Sequence, residues 1–278
     1  MRKPSEALAR IGGLSNPEKM PCLSWSTPAA RCLVGARLAR VAASTCALCY
    51  AMGGRYVMPN VLAAMERRYS RLMAALDTRE GRARWVSDWV SILEWRHQQT
   101  ARALARGKAT PTDDGRVFRW HDSGDVAGPY HFAAVVDIAR RVPGVRFWLP
   151  TREYKTVRDY LALWGGDSLP PNLCVRLSVP MRNAGPPPMV AALVAASDQV
   201  TLSGVHDTPG QLPAGAVECK AANHERAKYD RRRGKYRPVG GYCSGVVGGR
   251  VRSGRMVGGQ SVECRACWGA DFVSYPLH

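Results

Sequence analysis

The sequence predicts an α/β fold, a partial (β/α) barrel of parallel strands flanked by irregular, cysteine-rich N- and C-terminal segments. From residue 116 onward, short strand patterns alternate with helix patterns, which is typical of a parallel sheet with crossover helices. Polar residues follow the strand patterns, where such sheets collect their chemistry. Cysteines occur in two close pairs inside the flanking segments, near both ends of the chain.

Length and composition predict a single domain. The 278 residues fit one α/β barrel, and an apolar share of 46% provides a sizeable core. We expect a cysteine-rich N-terminal segment (residues 1–58), a barrel-like core (59–207) and a basic, cysteine-rich C-terminal segment (208–278). No run approaches the roughly 18 apolar residues of a membrane helix, and the first residues lack a secretory signal. We therefore expect a cytoplasmic protein without a membrane partner.

Two helices are predicted ahead of the alternating region. The first begins at Pro59, and a second runs from about Trp85 to Ala105, with Trp89 and Ile92 on the face of Trp85. The apolar residues of the first helix, at helical spacing, are Val61, Met65, Tyr69, Leu72 and Leu76.

The alternating region is predicted to contain four strands and three helices. Its strand patterns cover residues 117–120, 145–149, 173–179 and 199–203. Its helix patterns cover residues 130–142, 156–164 and 188–197. Residues 208–260 are expected to be irregular, with a basic run from Lys228 to Arg237 that is either a solvated loop or a phosphate contact with interleaved tyrosines.

Polar side chains follow each predicted strand, and they are the candidate active site. They are His121, Asp122, Ser123 and Asp125, then Thr151, Arg152 and Glu153, then Ser178, and finally His206 and Asp207. The carboxyl ends of parallel strands share one edge of the sheet, so these residues are expected to converge. The predicted catalytic residues are Asp122, Asp125, Arg152 and Glu153. The predicted cofactor-binding residues are Ser123, Gly124, Asp125 and Ser178.

The charge of the chain is strongly positive and unevenly distributed. The net charge is +18, with 18 Lys/Arg against 7 Asp/Glu in residues 1–110 and 12 against 4 in residues 219–278. The middle of the chain is nearly neutral, with 10 against 11. Two basic flanks around a chemical centre predict a polyanionic partner, most simply nucleic acid, although an arginine-preferring genome would give a similar composition.

The nine cysteines are expected to bind metal rather than to form disulfides, because their number is odd and no export signal precedes them. Cys32, Cys46 and Cys49 form the first group, whose three thiolates suit a four-iron cluster with one open iron. Zinc uses the same CxxC spacing. Cys22 is an alternative fourth ligand that would close the site, and Cys174 is expected to be a core residue.

The second cysteine group lies in the C-terminal segment. Its members are Cys219, Cys243, Cys264 and Cys267, and His278 is an alternative to Cys219 or Cys243. Four such ligands fit either a structural zinc ion or a second iron–sulfur cluster. A metal that holds a glycine-rich tail in place is as compatible with this pattern as a catalytic metal.

Several motifs make the chain similar to the phage gene product 88 family. They are Ser24-Trp25-Ser26 with Pro28, Cys46-Ala47-Leu48-Cys49-Tyr50-Ala51, Arg119 to Asp125, Phe147 to Arg152, and Cys264 to Trp268 with Tyr275 and His278. This resemblance spans most of the chain and implies a phage protein, acting in the host cytoplasm, without implying a particular reaction.

More distantly, the chain resembles the radical S-adenosylmethionine barrels. That resemblance implies an open-iron cluster held by Cys32, Cys46 and Cys49. It also implies S-adenosylmethionine as a cofactor, with Ser123-Gly124-Asp125 as the candidate motif for its amino group. A redox-active cluster further implies an electron donor as a partner.

Three functions follow from these patterns. The first is a radical-SAM-like iron–sulfur barrel enzyme that modifies a nucleic acid or nucleotide. The second is a transglycosylase-like base-exchange enzyme with structural zinc, similar to tRNA-guanine transglycosylases, in which Asp122 or Asp125 is the nucleophile. The third is a non-catalytic nucleic-acid-binding protein that is stabilised by metal.

Overall fold

The structure is a computed structural model, and it describes most of the chain up to residue 207 and separate strands beyond it. The described residues are 4–17, 20, 22–107, 114–207, 216–218, 226–230, 233, 235–239, 244–247, 250–252, 255–257, 260–263 and 272–276.

A seven-stranded parallel sheet forms the centre of the fold, in the order β1-β2-β3-β4-β5-β13-β6. Its strands are β1 (Ser24–Trp25), β2 (Val117–Trp120), β3 (Arg146–Thr151), β4 (Leu173–Ser178), β5 (Val200–His206), β6 (Val217–Glu218) and β13 (Phe272–Pro276). Every neighbouring pair in this sheet is parallel. The α/β class with a parallel sheet is therefore confirmed, while no pairing joins β1 to β6 within the described residues.

Seven α-helices accompany the sheet in the described part of the chain. They are α1 (Ser5–Arg10), α2 (Leu33–Leu38), α3 (Pro59–Asp77), α4 (Arg79–Ala105), α5 (Pro129–Arg141), α6 (Tyr154–Trp164) and α7 (Pro188–Ala195). Pro59, Pro129 and Pro188 each begin a helix, where the missing N–H of proline costs no hydrogen bond. The predicted helices are confirmed, although α4 begins six residues before Trp85.

Alternation along the strands separates the two faces of the sheet. Phe147, Leu149 and Val175 belong to the main core cluster with residues of α4 to α7. Trp148 points to the opposite face, where it packs with Val117, Met20 and Cys22 in a separate small cluster. Helices α4 to α7 therefore cover one face of the sheet. The other face carries the polar residues Cys174, Arg176, Thr201 and Ser203.

Four tryptophans and two histidines form an aromatic cluster within the core. Trp25 lies 6.0 Å from both Trp85 and Trp89, measured between ring centroids. The rings of His121 and His131 lie 5.3 Å apart beside this cluster, and both are almost fully buried. Trp25 thus ties the N-terminal segment to β2 and α4.

The described structure is more extensive than the sequence patterns predicted. Strands β1, β6 and β13, which lie outside residues 59–207, also belong to the central sheet. The expectation of irregular structure in residues 208–260 is wrong for β6 and for the strands β7 (Arg226–Asp230), β8 (Lys235–Val239), β9 (Ser244–Val247), β10 (Arg250–Arg252) and β11 (Arg255–Val257). A further strand, β12 (Gln260–Glu263), begins at the last residue of that range. Strands β7 to β12 pair antiparallel as β7–β8, β9–β12 and β10–β11.

No helix within the described residues has the length and apolar character needed to span a membrane.

Candidate functional site

The segment that carries the first three cysteines lies on the carboxyl edge of the central sheet. Backbone hydrogen bonds join it to the loop after β4, from Thr45 N to Pro180 O (2.9 Å) and from Arg182 N to Ala43 O (3.1 Å). At the end of β3, Arg152 donates a side-chain hydrogen bond to Thr45 Oγ1. The cysteines are therefore held above the strand ends by contacts with two successive strand–loop junctions.

Two of the three thiols of this segment converge, and Cys49 lies close enough to affect their pKa values. A Cβ atom placed on Gly35 would lie 3.6 Å from Cys32 Sγ and 3.7 Å from Cys46 Sγ, so both sulfurs approach one point beside α2. Burial raises the pKa of the Cys32 thiol, and Asp125, Cys49 and Cys46 raise this pKa further. Burial also raises the pKa of Cys46, with a further contribution from Cys49. The expected proximity of Cys32 to Cys46 is thus present.

The positions of the thiols can be compared with the geometry that a metal site requires of its ligands. Within the described residues, no group of three or more His, Cys, Asp or Glu side chains is arranged to hold a metal ion. A single zinc ion requires all its ligands within about 2.3 Å of one point. A four-iron cluster spreads its thiolate ligands over separate irons, so it tolerates wider spacing between sulfurs. The sulfurs of Cys32 and Cys46, with Cys49 nearby, therefore do not form a site for one ion, and separate irons of a cluster are the arrangement with which they are compatible.

The remaining cysteines divide into buried core residues and residues outside the described part of the chain. Cys22 is fully buried and packs with Met20, Val117 and Trp148, so it stabilises the core. Cys174 lies on β4, with its sulfur 3.2 Å from Thr201 Oγ1. The second predicted group and the alternative ligand fall outside the described residues: Cys219, Cys243, Cys264, Cys267 and His278.

Asp122 connects the N-terminal segment to the end of β2. Its Oδ1 accepts hydrogen bonds from Ser24 Oγ at 2.5 Å and from Ser26 Oγ, and its Oδ2 accepts one from Tyr56 at 3.1 Å. Its backbone oxygen also accepts a hydrogen bond from the Tyr50 hydroxyl. Three hydroxyl donors hold a carboxylate that is only 7% exposed, and this geometry favours a positioning role for Asp122.

Asp125 connects the ends of β2 and β3. Its Oδ1 accepts hydrogen bonds from Thr151 Oγ1 (2.6 Å) and Val126 N (2.7 Å), and its Oδ2 accepts one from Arg152 N (2.9 Å). Burial raises the pKa of Asp125, whereas these three donors lower it. The carboxylate therefore fixes the backbone of Arg152 at the edge that faces the cysteines.

Arg152 is a positively charged residue that affects the pKa of two of the thiols. Its positive charge lowers the pKa of both Cys32 and Cys46, in opposition to burial. One of its terminal nitrogens donates to Thr45 Oγ1, while its Nε is buried without a hydrogen-bond partner. Arg152 therefore offsets only part of the rise in pKa that burial causes, and its Nε leaves a donor available at the site.

Glu153 and Ser178 have local bonding partners. Glu153 Oε1 accepts a hydrogen bond from Val34 N at 2.9 Å, in the first turn of α2, where a carboxylate is favourable. Ser178 Oγ accepts a hydrogen bond from Ser203 Oγ at 3.1 Å, and its backbone oxygen accepts one from Tyr154. Both residues lie at the predicted edge, and their contacts stabilise the site.

The turn between the two aspartates requires glycine. Gly124 has a φ of +85°, and a Cβ atom there would lie 2.0 Å from Thr27 Oγ1 and 2.8 Å from Thr27 O. Thr27 N donates to Ser123 O at 3.0 Å, which brings the two segments together. Ser123 Oγ is buried and has no hydrogen-bond partner.

Other predicted strand-end residues take no direct part in the site. His121 is buried in the tryptophan cluster, and Asp207 is exposed and bonded to Asn183. The hydroxyl partners that complete the site were not predicted, although most belong to the quoted motifs. They are Ser24, Ser26, Tyr50, Tyr56, Thr45 and Tyr154.

Comparison with known protein families gives a match over most of the chain. A family model described as gene product 88 matches residues 5–270, in agreement with the resemblance drawn from the motifs. No curated protein matches the chain, and no solved structure matches it. These comparisons give no support to the more distant resemblance to radical SAM barrels.

Proposed function

Starting from the finding that the chain belongs to the gene product 88 family, we propose that it is an iron–sulfur enzyme that acts on a nucleic acid or nucleotide. Cys32, Cys46 and Cys49 are the proposed ligands of a four-iron cluster. The supporting observation is the convergence of the Cys32 and Cys46 thiols on the carboxyl edge of a parallel sheet, with Cys49, Asp125 and Arg152 close enough to shift their pKa values. In parallel α/β folds this edge is the usual place of the active site.

The cluster would supply one-electron chemistry at an iron that no protein thiolate occupies. The chain supplies the surroundings of that chemistry. Arg152 favours the thiolate forms of Cys32 and Cys46, and burial of the same thiols limits the access of water. Because burial keeps the free thiols protonated, binding of the metal releases protons.

The carboxylates act as positioning groups in this proposal. Asp125 holds the backbone of Arg152, and Asp122 holds the loop that carries Tyr50 and Tyr56. A nucleophilic carboxylate, as the transglycosylase-like alternative requires, would have to give up hydrogen bonds from two or three donors to react. The iron–sulfur proposal makes no such demand on Asp122 or Asp125.

Further features of the proposal come from the sequence patterns. They are a partially closed barrel, S-adenosylmethionine as a second ligand near Ser123 and Asp125, a second metal at the C-terminal cysteines, and an electron donor. The reducing cytoplasm is the proposed location, because the three thiols must stay reduced to bind iron. A non-catalytic, metal-stabilised nucleic-acid-binding protein is the alternative without a reaction.

Metal analysis after purification without oxygen tests the proposal. We expect brown protein, and we expect the double variant Cys46→Ala/Cys49→Ala to contain about four fewer irons and four fewer sulfides per chain. Cys174→Ala is the matched control, because it removes a buried thiol on β4 and should leave the iron content unchanged. Equal iron in wild type and the double variant, or zinc in place of iron, would exclude the assigned cluster.

A further inference from the structure

We propose that the exposed surface around the three cysteines binds single-stranded nucleic acid. This inference rests on the proposed function, since it names the substrate class and the surface by which the substrate reaches the site. The surface is called the collar here and comprises exposed side chains of residues 31–58. Its members are Arg31, Leu33, Arg37, Arg40, Leu48, Tyr50, Met52, Arg55, Val57 and Met58.

The collar exposes unusually many large apolar side chains for so short a segment. Leu33, Leu48, Met52, Val57 and Met58 are each between 50% and 55% exposed. Single exposed apolar residues are ordinary, whereas a group of them indicates an interaction surface. These residues flank the cysteines directly in sequence and lie on the short helical turns that hold the thiols.

The charge of the collar points to a polyanion. Residues 19–65 contain one lysine and four arginines and no aspartate or glutamate. Arg37, Arg40 and Arg55 are exposed. An acid-free stretch of this length attracts phosphate groups. Of the carboxylates that contact this stretch, Glu66 pairs with Arg31 at 3.3 Å and Glu153 accepts a hydrogen bond from Val34 N, which leaves Arg37, Arg40 and Arg55 as the exposed cations of the collar.

Tyr50 gives the collar a base-stacking platform. The residue is 61% exposed, yet its hydroxyl donates to Asp122 O and accepts from Arg119 Nη2 at 3.3 Å. The ring also contacts Tyr56 at a centroid distance of 5.6 Å in an edge arrangement. A ring held at its hydroxyl end and open to solvent is preorganised for stacking against an unpaired base.

These features favour single-stranded nucleic acid over a membrane surface. A peripheral membrane helix presents one continuous apolar face. The exposed apolar residues here lie instead on several short turns, Leu33–Leu38, Thr45–Leu48, Tyr50–Met52 and Gly54–Val57, interrupted by arginines. Stacking on Tyr50 needs an unpaired base, so a single strand is expected to bind better than a duplex.

Fluorescence anisotropy with labelled 12-nucleotide oligouridylate and oligothymidylate tests the collar. We expect Tyr50→Ala to weaken binding about tenfold and Tyr50→Phe, which keeps the ring, to weaken it less than twofold. Arg37→Gln and Arg55→Gln should each weaken binding and reduce the salt slope by about one. Arg102→Gln on α4 is the charge-matched control and should bind like wild type. Arg102 lies in the last turn of α4, which precedes the start of β2, whereas the collar lies at the ends of the strands.

Two further measurements distinguish the occupants. A duplex of the same length should bind more weakly than either single strand. Vesicles of phosphatidylglycerol and phosphatidylcholine should not retain the protein in sedimentation. The inference would be overturned if collar variants bound vesicles less than wild type did but bound the oligonucleotides as well as wild type. It would also be overturned if Tyr50→Ala and wild type bound the oligonucleotides equally while circular dichroism showed both proteins to be folded.

The oligonucleotide measurement needs no cluster, so its outcome is independent of the iron analysis. Oligonucleotide binding that fails while iron depends on Cys46 and Cys49 overturns only the collar. Binding that depends on Tyr50 in a protein without iron supports the collar and overturns the proposed cluster.

Discussion

At the scale of single residues, a substitution at Gly124 tests how closely the turn between Asp122 and Asp125 must approach Thr27. The change Gly124→Ala places a Cβ atom 2.0 Å from Thr27 Oγ1 at a φ of +85°. We expect a loss of roughly 2–3 kcal/mol in the free energy of unfolding, from backbone strain and from displacement of Thr27. Urea denaturation measures it.

Gly13→Ala is the control for this change. Gly13 has a φ of +83°, and a Cβ atom there would meet nothing within 4 Å. Its expected loss is about 1 kcal/mol, from the left-handed backbone alone. Equal losses in the two variants would show that the contact between Gly124 and Thr27 does not matter for stability.

His131 makes the stability of the core depend on pH. Its Nδ1 accepts a hydrogen bond from Ala127 N at 3.1 Å, and burial lowers its pKa to about 3. The unfolded chain, with a histidine pKa of about 6.5, binds the proton more strongly. The stabilisation is therefore complete above pH 6.5 and is lost progressively as the pH falls toward 3.

The variant His131→Phe separates this effect from other titrations. From pH 7.5 to pH 5.0, His131 should remove about 2 kcal/mol from the free energy of unfolding of wild type. The variant loses the acceptor for Ala127 N and is less stable at pH 7.5. However, its stability should fall by about 2 kcal/mol less over the same interval. Urea denaturation at both pH values gives the difference, and identical pH dependence in both proteins would contradict the prediction.

At the scale of elements, α2 is the wall beside two of the thiols. Gly35→Ala places a methyl group 3.0 Å from Cys32 Cβ and within 3.7 Å of both sulfurs. Alanine favours a helix over glycine by roughly 0.5–1 kcal/mol, and the 3.0 Å contact with Cys32 Cβ opposes this gain, so the stability of the metal-free protein should change little. We expect the bound iron to fall to less than half, because the methyl group occupies space between the ligands.

The same substitution at Gly53 is the control. Gly53 follows Cys49 closely, and a Cβ atom on it would meet nothing within 4 Å. Gly53→Ala should therefore keep wild-type iron. If Gly35→Ala also keeps its iron, the space between Cys32 and Cys46 is not where the cluster binds.

The elements that could be predicted from the sequence are those with a local pattern. Helices α3 to α7 and strands β2 to β5 follow periodicity and glycine or proline boundaries within short windows. Strand β1 has two residues, and its place depends on Trp25 packing among residues of α4, about sixty positions away. No local pattern specifies such a pairing, so β1, β6 and β13 were missed.

The site was predicted in position more than in role. The rule that parallel strands end on one edge placed Asp122, Asp125, Arg152 and Glu153 together. Their roles depend on partners that are distant in sequence, such as Ser24, 98 positions from Asp122. Buried carboxylates need several donors, so Asp122 and Asp125 collect them and become positioning groups.

At the scale of the whole molecule, the last strand that the structure describes belongs to the central sheet. Strand β13 lies between β5 and β6 and pairs with β5 from Phe272 to Pro276. Removal of β13 would break its pairing with both β5 and β6, so the sheet would lose more than an edge strand. The last strand is therefore part of the core of the fold, although the pattern of residues 208–278 predicts only a tail.

Truncation tests this topology. A chain that ends at residue 271 lacks β13, and with it about five backbone hydrogen bonds to β5 and further ones to β6, each contributing roughly 1 kcal/mol. That loss, on the order of 5 kcal/mol, equals the lower end of the total stability of a domain. We expect no cooperative urea transition, whereas a chain that ends at residue 276 keeps β13 and should retain one. A cooperative transition in the shorter chain would show that β1 to β5 fold without the end of the chain.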